Sequence, residues 1–382
     1  MTSSETSTSA RALRVLLVSG SYPPMRCGVG DYTRCLAESL ADRSDISLRV
    51  LTTVSAPSPD GDPPWLHRRM ANWRLTALGP YLRLLREFQP DIVHIQYPTQ
   101  GYSVWSGPAA LPAIARIWGG SSVVQTWHEY PNPAHTREGR AQLVMAAAAD
   151  ALLFVRPDFP DKISGVLSKL LGRAPRHFVP NASTMPVARL RPEERLNIRS
   201  ELGIGARQLV AFFGFAYPHK GVEQLFRIAD PKRNHIVLIG ELREEDPYHA
   251  QLLSLAASPP WRGNVTVSGF ATSDRVARIL AAADAAIFPF VDGGGIWSSS
   301  VHAAVSQGTF TILTSRERAG YAADENVYYA PPGAIVEMRG ALDQHIGVRR
   351  DSTPANDWNA IALRHIEIYR KLPHATRGES RV

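Results

Sequence analysis

The stretch FVDGGGIWSSSVHAAVSQGTFTIL, which begins at Phe290, has three glycines and three serines between an apolar strand pattern and an alanine-rich helix pattern. Glycine lets the backbone turn sharply and approach a ligand closely, and serine at a helix start offers a hydroxyl beside unpaired N–H groups. An anion is the ligand that suits this chemistry best. We therefore predict an anion site at Gly294, Gly295, Ser298, Ser299 and Ser300.

Two other turns carry side chains that could do chemistry. In AFFGFAYPHKG, Lys220 lies between a strand pattern and a helix pattern, where its ammonium can pair with a phosphate. In VVQTWHEY, His128 lies at a strand end and could act as a proton donor or bind a sugar hydroxyl. A solvated lysine and a hydrogen-bonded surface histidine are the alternatives. His94 lies inside an apolar strand, which favours a buried structural histidine.

A glycine-containing turn also follows the first strand pattern, in SYPPMRCGVGDYT. Gly28 and Gly30 can bring backbone N–H groups close to a phosphate, and Asp31 can cap the helix that follows. As a dinucleotide fingerprint the turn is poor, because a third glycine is missing and about nine residues separate it from the strand. A glycine-rich connector without a ligand stays open as an alternative.

Strand and helix patterns alternate along both halves of the chain, which is typical of parallel α/β sheets. Ligands of such sheets bind beyond the carboxyl ends of the strands, where all of these turns lie. We predict a disordered leader (1–12), a first Rossmann-like domain (13–184), a linker (185–205), a second Rossmann-like domain (206–352), an apolar C-terminal helix (353–372) and a tail (373–382).

Composition places the chain among globular proteins, with 382 residues, 44% of them hydrophobic and 20% charged. Lysine and arginine exceed aspartate and glutamate by 42 to 35, but no dense basic run suggests nucleic acid. Two cysteines without partner motifs argue against a zinc site or a disulfide framework. The Ser/Thr-rich start and the lack of a long apolar run predict a cytoplasmic protein, with peripheral membrane contact left open.

The order of these motifs resembles the retaining GT-B glycosyltransferases of family four. The resemblance rests on YPPMRCGVGDYTRCLAESL, PDIVHIQYP, TWHE, FVPNAS, FFGFAYPHKG, VTVSGFATSDRVARILAAADAAIFPF and GGGIWSSSVHAAVSQGTFTILTS, and it covers nearly the whole chain. It implies two facing Rossmann-like domains, with a C-terminal helix that crosses back to the first domain. It also implies a nucleotide-sugar donor on the second domain, a hydroxyl-bearing acceptor on the first, and transfer with retained anomeric configuration. The resemblance implies no cofactor and no metal ion.

The resemblance assigns roles to single residues. Catalysis would depend on positioning the substrates and on stabilising the charge that grows on the diphosphate. The matching positions are Gly28 and Gly30 near the donor diphosphate, His128 beside the transferred sugar, Lys220 at the diphosphate, and Gly269 and Phe270 at the nucleobase.

The chain departs from the family at two points. The family's arginine five or six residues before the lysine is missing, since Phe215 stands at the five-residue position, and His219 would compensate in part when protonated. Gly295 and Ala303 stand where two glutamates eight positions apart belong, so neither position can accept a side-chain hydrogen bond. The neighbours that could take over a contact are Asp292 and His302.

Aromatic residues of the first half could line the acceptor side, because their rings suit stacking on sugars, although core packing would explain them equally. They are Tyr22, Tyr97 and Tyr130, together with Tyr102, Trp105 and Trp127. We predict a glycosyltransferase that uses a UDP-, GDP-, ADP- or dTDP-sugar, with a glycan, lipid-linked or secondary-metabolite acceptor. The alternatives are an inactive binding or regulatory relative, and another GT-B enzyme such as a nucleotide-sugar epimerase or a coupling enzyme.

Overall fold

The computed structural model describes residues 11–58, 61–102, 105–131, 136–163, 165–172, 174–295, 297–350 and 357–373. The predicted leader, except for residues 11 and 12, and the predicted tail beyond residue 373 lie outside these ranges. The chain divides into two compact units. The first consists of Met1–Asn181 with Trp358–Val382, and the second of Ala182–Asp357.

Strands and helices alternate through both units. In chain order the strands are β1 (Leu13–Ser19), β2 (Ile46–Thr53), β3 (Leu66–Met70), β4 (Ile92–Tyr97), β5 (Ser122–Trp127), β6 (Ala151–Phe154), β7 (Arg176–Phe178), β8 (Gln208–Phe213), β9 (Asn234–Ile239), β10 (Val265–Val267), β11 (Ala285–Phe288), β12 (Thr311–Thr314), β13 (Gly320–Ala322) and β14 (Val327–Ala330). The helices are α1 (Gly28–Ala41), α2 (Gly79–Phe88), α3 (Ser106–Ile114), α4 (Arg137–Ala147), α5 (Phe159–Lys162), α6 (Gly165–Leu170), α7 (Pro192–Glu201), α8 (Leu225–Ile228), α9 (Pro247–Ala257), α10 (Ser273–Ala282), α11 (Ser299–Ser306), α12 (Ile335–His345) and α13 (Trp358–Arg370).

The first unit is built on a parallel sheet with the strand order β3-β2-β1-β4-β5-β6-β7. Strands β4, β5 and β6 are buried along their whole length, because helices cover both faces of such a sheet. A 3-10 turn (Leu75–Ala77) precedes α2, and a π-helical turn (Ala115–Gly119) continues α3. The order reverses between β1 and β4, which is where open sheets bind ligands.

The C-terminal helix α13 belongs to the first unit. Its buried face consists of Ile361, Ala362, His365, Ile366, Ile368 and Tyr369. These positions recur every three to four residues, so they form one stripe that packs against the unit. The helix lies against α1, where the Tyr32 hydroxyl is 3.3 Å from Nε2 of His365. The chain therefore returns to its first unit after the second is complete.

The second unit repeats the scheme, with the strand order β10-β9-β8-β11-β12-β14-β13. All neighbours are parallel except β13, which runs antiparallel to β14. The predicted α/β class, the two Rossmann-like domains and the returning helix are thus confirmed. Within the described residues, no helix is both long enough and apolar enough to cross a membrane.

Residues 185–205, which we predict as a linker, lie within the second unit. They carry α7, whose arginines bind the carboxylate of Asp284, from Arg195 at 2.6 Å and from Arg199 at 2.8 Å. The same carboxylate accepts a hydrogen bond from the amide of Leu209 at 2.7 Å. This mostly buried aspartate ties α7 to the starts of β8 and β11, which explains why a charged, apolar-poor segment packs on the sheet.

Candidate functional site

In the second unit, the turn that carries Lys220 lies directly against the end of β11. Gly221 has φ +61°, and a Cβ there would lie 2.3 Å from the carbonyl oxygen of Pro289, so the close contact requires glycine. The half-buried Lys220 places Nζ 4.3 Å from the centroid of the Phe290 ring. A cation over an aromatic face is attracted to it, which holds the ammonium at this edge of the sheet.

The serine turn lies at the same edge. Ser298 is the N-cap of α11, and its side chain makes no capping hydrogen bond. Ser300 lies next to the end of β8, because its Oγ is 3.0 Å from the position that a Cβ at Gly214 would take. Since β8 and β11 are neighbours in the sheet, the Lys220 turn and the start of α11 both lie at the carboxyl ends of adjacent strands. A lysine, serine hydroxyls and a helix N-terminus are chemistry for an anion.

The glycines of the same stretch shape the turn, and two of their backbone groups already make hydrogen bonds. The amide of Gly294 donates to the carbonyl of Thr314 at 2.7 Å, and the carbonyl of Gly295 accepts from the amide of Ser298 at 3.1 Å. A Cβ at Gly295 would lie 1.8 Å from the Trp297 ring. The Gly294 amide thus already donates to the end of β12 and Trp297 covers Gly295, and the contribution of these two glycines to an anion site stays a prediction.

The two neighbours of this stretch that could replace the missing carboxylates lie in different surroundings. Asp292 is exposed, and its carboxylate lies 3.5 Å from the guanidinium of Arg316. His302 is 4% exposed, and its Nε2 has no hydrogen-bond partner among the described residues. Burial lowers the pKa of His302 to about 4, so its imidazole is neutral near pH 7. Only Asp292 therefore carries a charge at the surface.

Exposed aromatic rings lie within the Lys220 turn, and another follows β10. Phe215 and Tyr217 stack with centroids 6.1 Å apart, and Tyr217 stacks on His219 at 5.6 Å. Phe215 is 47% and Tyr217 44% exposed. Phe270, which is 57% exposed, follows Gly269 (φ +67°) after β10. The flat faces of Phe215 and Tyr217, in the same turn as Lys220, suit a nucleobase or a sugar ring.

In the first unit, Gly28 is the first residue of α1 and Gly30 lies in its first turn. A Cβ at Gly30 would come within 3.2 Å of the backbone of Ser21, whereas at Gly28 it would meet nothing within 4 Å. Asp31 is inside the first turn, so the prediction that it caps the helix is wrong, and Cys27 takes the N-cap position. Burial raises the pKa of Asp31 to about 6.

His128 follows β5 and is held by the neighbouring strand β4. Its amide donates to the carbonyl of Tyr97 at 3.1 Å, and its Nε2 lies 2.8 Å from Oε1 of Gln96. Because an amide oxygen can only accept, neutral His128 carries its proton on Nε2 and leaves Nδ1 as an acceptor. Burial, with a smaller effect of nearby His365, lowers the pKa of His128 to about 3. The ring packs edge-on against Tyr32, with centroids 4.8 Å apart.

A buried network extends from His128 through Gln96. The Gln96 amide nitrogen lies 3.1 Å from Nε2 of His94, which also lies 2.7 Å from the hydroxyl of Thr126. Nδ1 of His94 lies 2.6 Å from the hydroxyl of Tyr369 on α13. Burial, followed by His365 and His128, lowers the pKa of His94 well below its usual value. The prediction that His94 is a buried structural histidine is confirmed.

Gln96 is a residue that our sequence reasoning missed. It lies two positions after His94 on β4, so both side chains project from the same face of the strand. Two polar residues at that spacing in an otherwise apolar strand could have indicated a buried hydrogen-bond network on one face of the sheet.

The predicted acceptor tyrosines lie mostly in the core. Tyr22 is 3% exposed with Arg68 over its ring, and Tyr97 is 1% exposed. Their rings offer no face to an acceptor in this structure, so these two assignments are corrected. Tyr130 is half-buried and donates from its hydroxyl to the carbonyl of Lys162 at 2.9 Å.

Solved structures share this fold along nearly the whole chain. Sucrose-phosphate synthase from Thermosynechococcus elongatus is 17% identical, with a TM-score of 0.71, and the match covers 95% of this chain and all of that one. HepE from Anabaena, solved with UDP and glucose, is 16% identical with a TM-score of 0.70, and the match covers 94% of this chain and 100% of HepE. The catalytic domain of starch synthase IV from Arabidopsis thaliana, bound to ADP and acarbose, is 12% identical with a TM-score of 0.66. This match covers 97% of this chain and 100% of that domain.

The sequence itself matches one family. No curated protein is similar enough in sequence to count as a relative. Residues 27–182, which contain Gly28, Gly30 and His128, match the family described as Glycosyl transferase 4-like domain. The chain therefore has the GT-B fold, and residues 27–182 of its first unit are similar to the glycosyl transferase 4-like domain.

Proposed function

We propose that this protein is a retaining glycosyltransferase that moves a sugar from a nucleotide-sugar donor to a hydroxyl of an acceptor. The observation that carries the proposal is the convergence of the Lys220 turn, the end of β11 and the start of α11 at one edge of the second sheet. HepE, which shares the fold, was solved with UDP-glucose, and starch synthase IV with ADP. These ligands support a nucleoside diphosphate at this edge.

In this proposal the second unit holds the donor. The ammonium of Lys220 and the N-terminus of α11, with Ser298, Ser299 and Ser300, bind the diphosphate, while Gly269 and Phe270 border the nucleobase. Negative charge grows on the diphosphate as the bond to the sugar breaks, so groups fixed in position before the reaction stabilise the transition state more than the ground state. Because Lys220 and the N-terminus of α11 stabilise this charge, the proposal contains no step that requires a metal ion.

His128 takes the role of a sugar ligand. Its lowered pKa keeps the imidazole neutral near pH 7, and its Nε2 is hydrogen-bonded to Gln96. Of the two roles predicted from the sequence, proton donor and ligand of a sugar hydroxyl, these facts favour the second, with Nδ1 as the acceptor. Gly28 and Gly30, at the start of α1, remain candidates for contact with the donor diphosphate. Retention of configuration is carried over from the family resemblance, and a cytoplasmic location from the sequence pattern.

Lys220→Ala tests the donor site. Removing a charge-assisted contact to phosphate should weaken binding of UDP, GDP, ADP or dTDP, whichever binds the native chain, by about tenfold or more. Calorimetry measures the dissociation constant, and Lys232→Ala, an exposed lysine in the turn before β9, is the matched control. An unchanged constant for Lys220→Ala, or failure of all four nucleotides to bind, would refute the assignment.

A second function, binding of a nucleotide sugar without transfer, has one observation in its favour. Gly295 and Ala303 have no carboxylate, and Trp297 covers the first position while the second is fully buried. Release of nucleoside diphosphate only in the presence of acceptor would decide for the transferase. The anomeric configuration of the product, read by NMR, then tests retention, and an inverted product would contradict it.

A further inference from the structure

A groove of about 540 Å³ opens at the carboxyl edge of the first sheet. It is formed by Arg74, Leu75 and Thr76 after β3, by Trp105 and Ser106 after β4, and by Arg137 and Glu138 after β5. Three separate connections thus converge at the edge where parallel sheets bind their ligands.

The walls of the groove are held in place by close contacts. A Cβ at Gly107 would lie 1.7 Å from the carbonyl oxygen of Trp73, so the start of α3 packs directly on the backbone before Arg74. Trp73 is fully buried and donates from Nε1 to the hydroxyl of Thr53 at 2.8 Å. The hydroxyl of Tyr97 donates to the carbonyl of Glu138 at 3.1 Å, which ties the start of α4 to β4. The groove is therefore preformed, as binding sites usually are.

The groove has an excess of positive charge. In the part of the chain that the structure describes, the guanidinium groups of Arg74 and Arg137 make no ion pair, although other arginines of this unit do, such as Arg68 with Asp62 at 2.8 Å. Glu138 brings one negative charge against these two. The start of α3 has no side-chain cap, so it adds the partial positive charge of a helix N-terminus. Together these groups suit an anion.

One wall of the groove is apolar and exposed. Trp105 is 44% and Leu75 56% exposed, whereas most large apolar side chains of this unit are buried. The hydroxyls of Thr76 and Ser106 lie beside them. A flat indole next to hydroxyls is a surface on which a sugar ring stacks.

Charge is also divided unequally between the two units. The first contains 24 lysine and arginine residues against 16 aspartate and glutamate residues, whereas the second contains 18 against 19. The field of the first unit therefore attracts anions to its surface, and the groove is a preformed place on it where two guanidinium groups make no ion pair with any described residue.

We propose that this groove binds the acceptor, and that the acceptor is a sugar carrying a phosphate or carboxylate group. The inference rests on the proposed function, because it names the acceptor of that transfer. Arg74 and Arg137 hold the anionic group, the ring stacks on Trp105, and the carboxylate of Glu138 accepts hydrogen bonds from sugar hydroxyls.

The test compares glucose, glucose 6-phosphate and glucuronate as probes of the full chain, by ligand-observed NMR titration at low salt. We expect one or both anionic sugars to bind at least about tenfold more tightly than glucose. Arg74→Gln and Arg137→Gln should each remove most of that preference. Glu138→Gln should strengthen binding of the anionic sugars, because the amide oxygen still accepts hydrogen bonds from sugar hydroxyls while the opposing charge is removed. Arg83→Gln, an exposed arginine on α2 outside the groove, should change nothing.

Trp105→Ala should weaken binding of all three sugars, and Trp118→Ala, an exposed tryptophan outside the groove, serves as its control. A tighter complex with glucose 6-phosphate than with glucuronate identifies phosphate as the anionic group, and the reverse identifies carboxylate. Equal affinity for glucose and both anionic sugars, or a preference that survives both arginine substitutions, overturns the proposal. Nucleotide binding is measured separately through Lys220, so a failed donor site and a failed acceptor groove give different results.

Discussion

The buried histidine on α13 should make the first unit sensitive to acid. His365 is fully buried; its Nδ1 lies 2.8 Å from the carbonyl of Ile361, and its Nε2 is next to the Tyr32 hydroxyl. Burial lowers its pKa from about 6.5 to about 4. Between these two values the unfolded chain binds a proton that the folded chain does not, so stability is full above pH 6.5 and falls as the pH drops toward 4.

The size of this effect follows from the two pKa values. At pH 5 the lower pKa of His365 in the folded chain reduces the free energy of unfolding by about 2 kcal/mol, from this residue alone. His94 and His128, whose pKa values are also lowered, add to the loss in the same direction. In His365→Gln this contribution is absent, so the variant should lose about 2 kcal/mol less than the native chain between pH 7.5 and pH 5.

Urea unfolding at the two pH values measures the difference. The state of α13 is read by a brief hydrogen-exchange pulse at one fixed pH, followed by mass spectrometry of the peptide from residue 358 onward. Tyr32→Phe is the control, because it removes the hydrogen bond between Tyr32 and His365 but leaves His365 able to titrate. Between pH 7.5 and pH 5 this variant should lose as much unfolding free energy as the native chain. Equal losses in the native chain and in His365→Gln would show that the imidazole does not carry the pH dependence.

Two further substitutions test the packing that supports each site. Asp284→Asn leaves the arginines of α7 without their carboxylate, so the second unit should lose about 3 kcal/mol of unfolding free energy in urea. Asp343→Asn, which breaks an exposed pair, should lose less than about 1 kcal/mol, and equal effects would contradict the assignment. Gly107→Ala places a Cβ against the carbonyl of Trp73 and should cost about 1 to 3 kcal/mol by the same measurement on the first unit. Gly79→Ala, with open space at its Cβ position, is the matched control, and a loss as large there would refute the steric explanation.

The central strands could be predicted because their burial on both faces leaves apolar runs in the sequence. β1, β4 and β8 lie within one or two residues of the apolar runs that predict them, which are RVLLVSG from Arg14, DIVHIQY from Asp91 and QLVAFFG from Gln208. β3 and β13 were missed, since LHRRM and GYA are short edge strands without such a run. The sequence pattern predicts a helix near residues 31 to 41, but α1 begins three residues earlier, because Gly28 and Gly30 belong to the helix itself.

The position of a candidate site residue could be predicted only where a single side chain in the turn after a strand carries the chemistry. Lys220 and His128 are such residues, and the structure places each at the carboxyl edge of its sheet. The covering of Gly295 by Trp297 could not be predicted, because it depends on the path of a turn. The contact between His94 and Tyr369 could not be predicted either, since nothing in the local pattern relates β4 to a helix that begins more than 260 residues later.

That helix completes the surroundings of His128. The ring of Tyr32 contacts His128 at 4.8 Å and Trp358 at 5.1 Å, and its hydroxyl reaches His365. Tyr32 therefore packs between α13 and the histidine that we propose as a sugar ligand. Because packed side chains have few alternative arrangements, the orientation of the imidazole depends on the docking of α13 as well as on Gln96. Helix α13 thus supports the surroundings of His128, although the whole second unit lies between the two in the sequence.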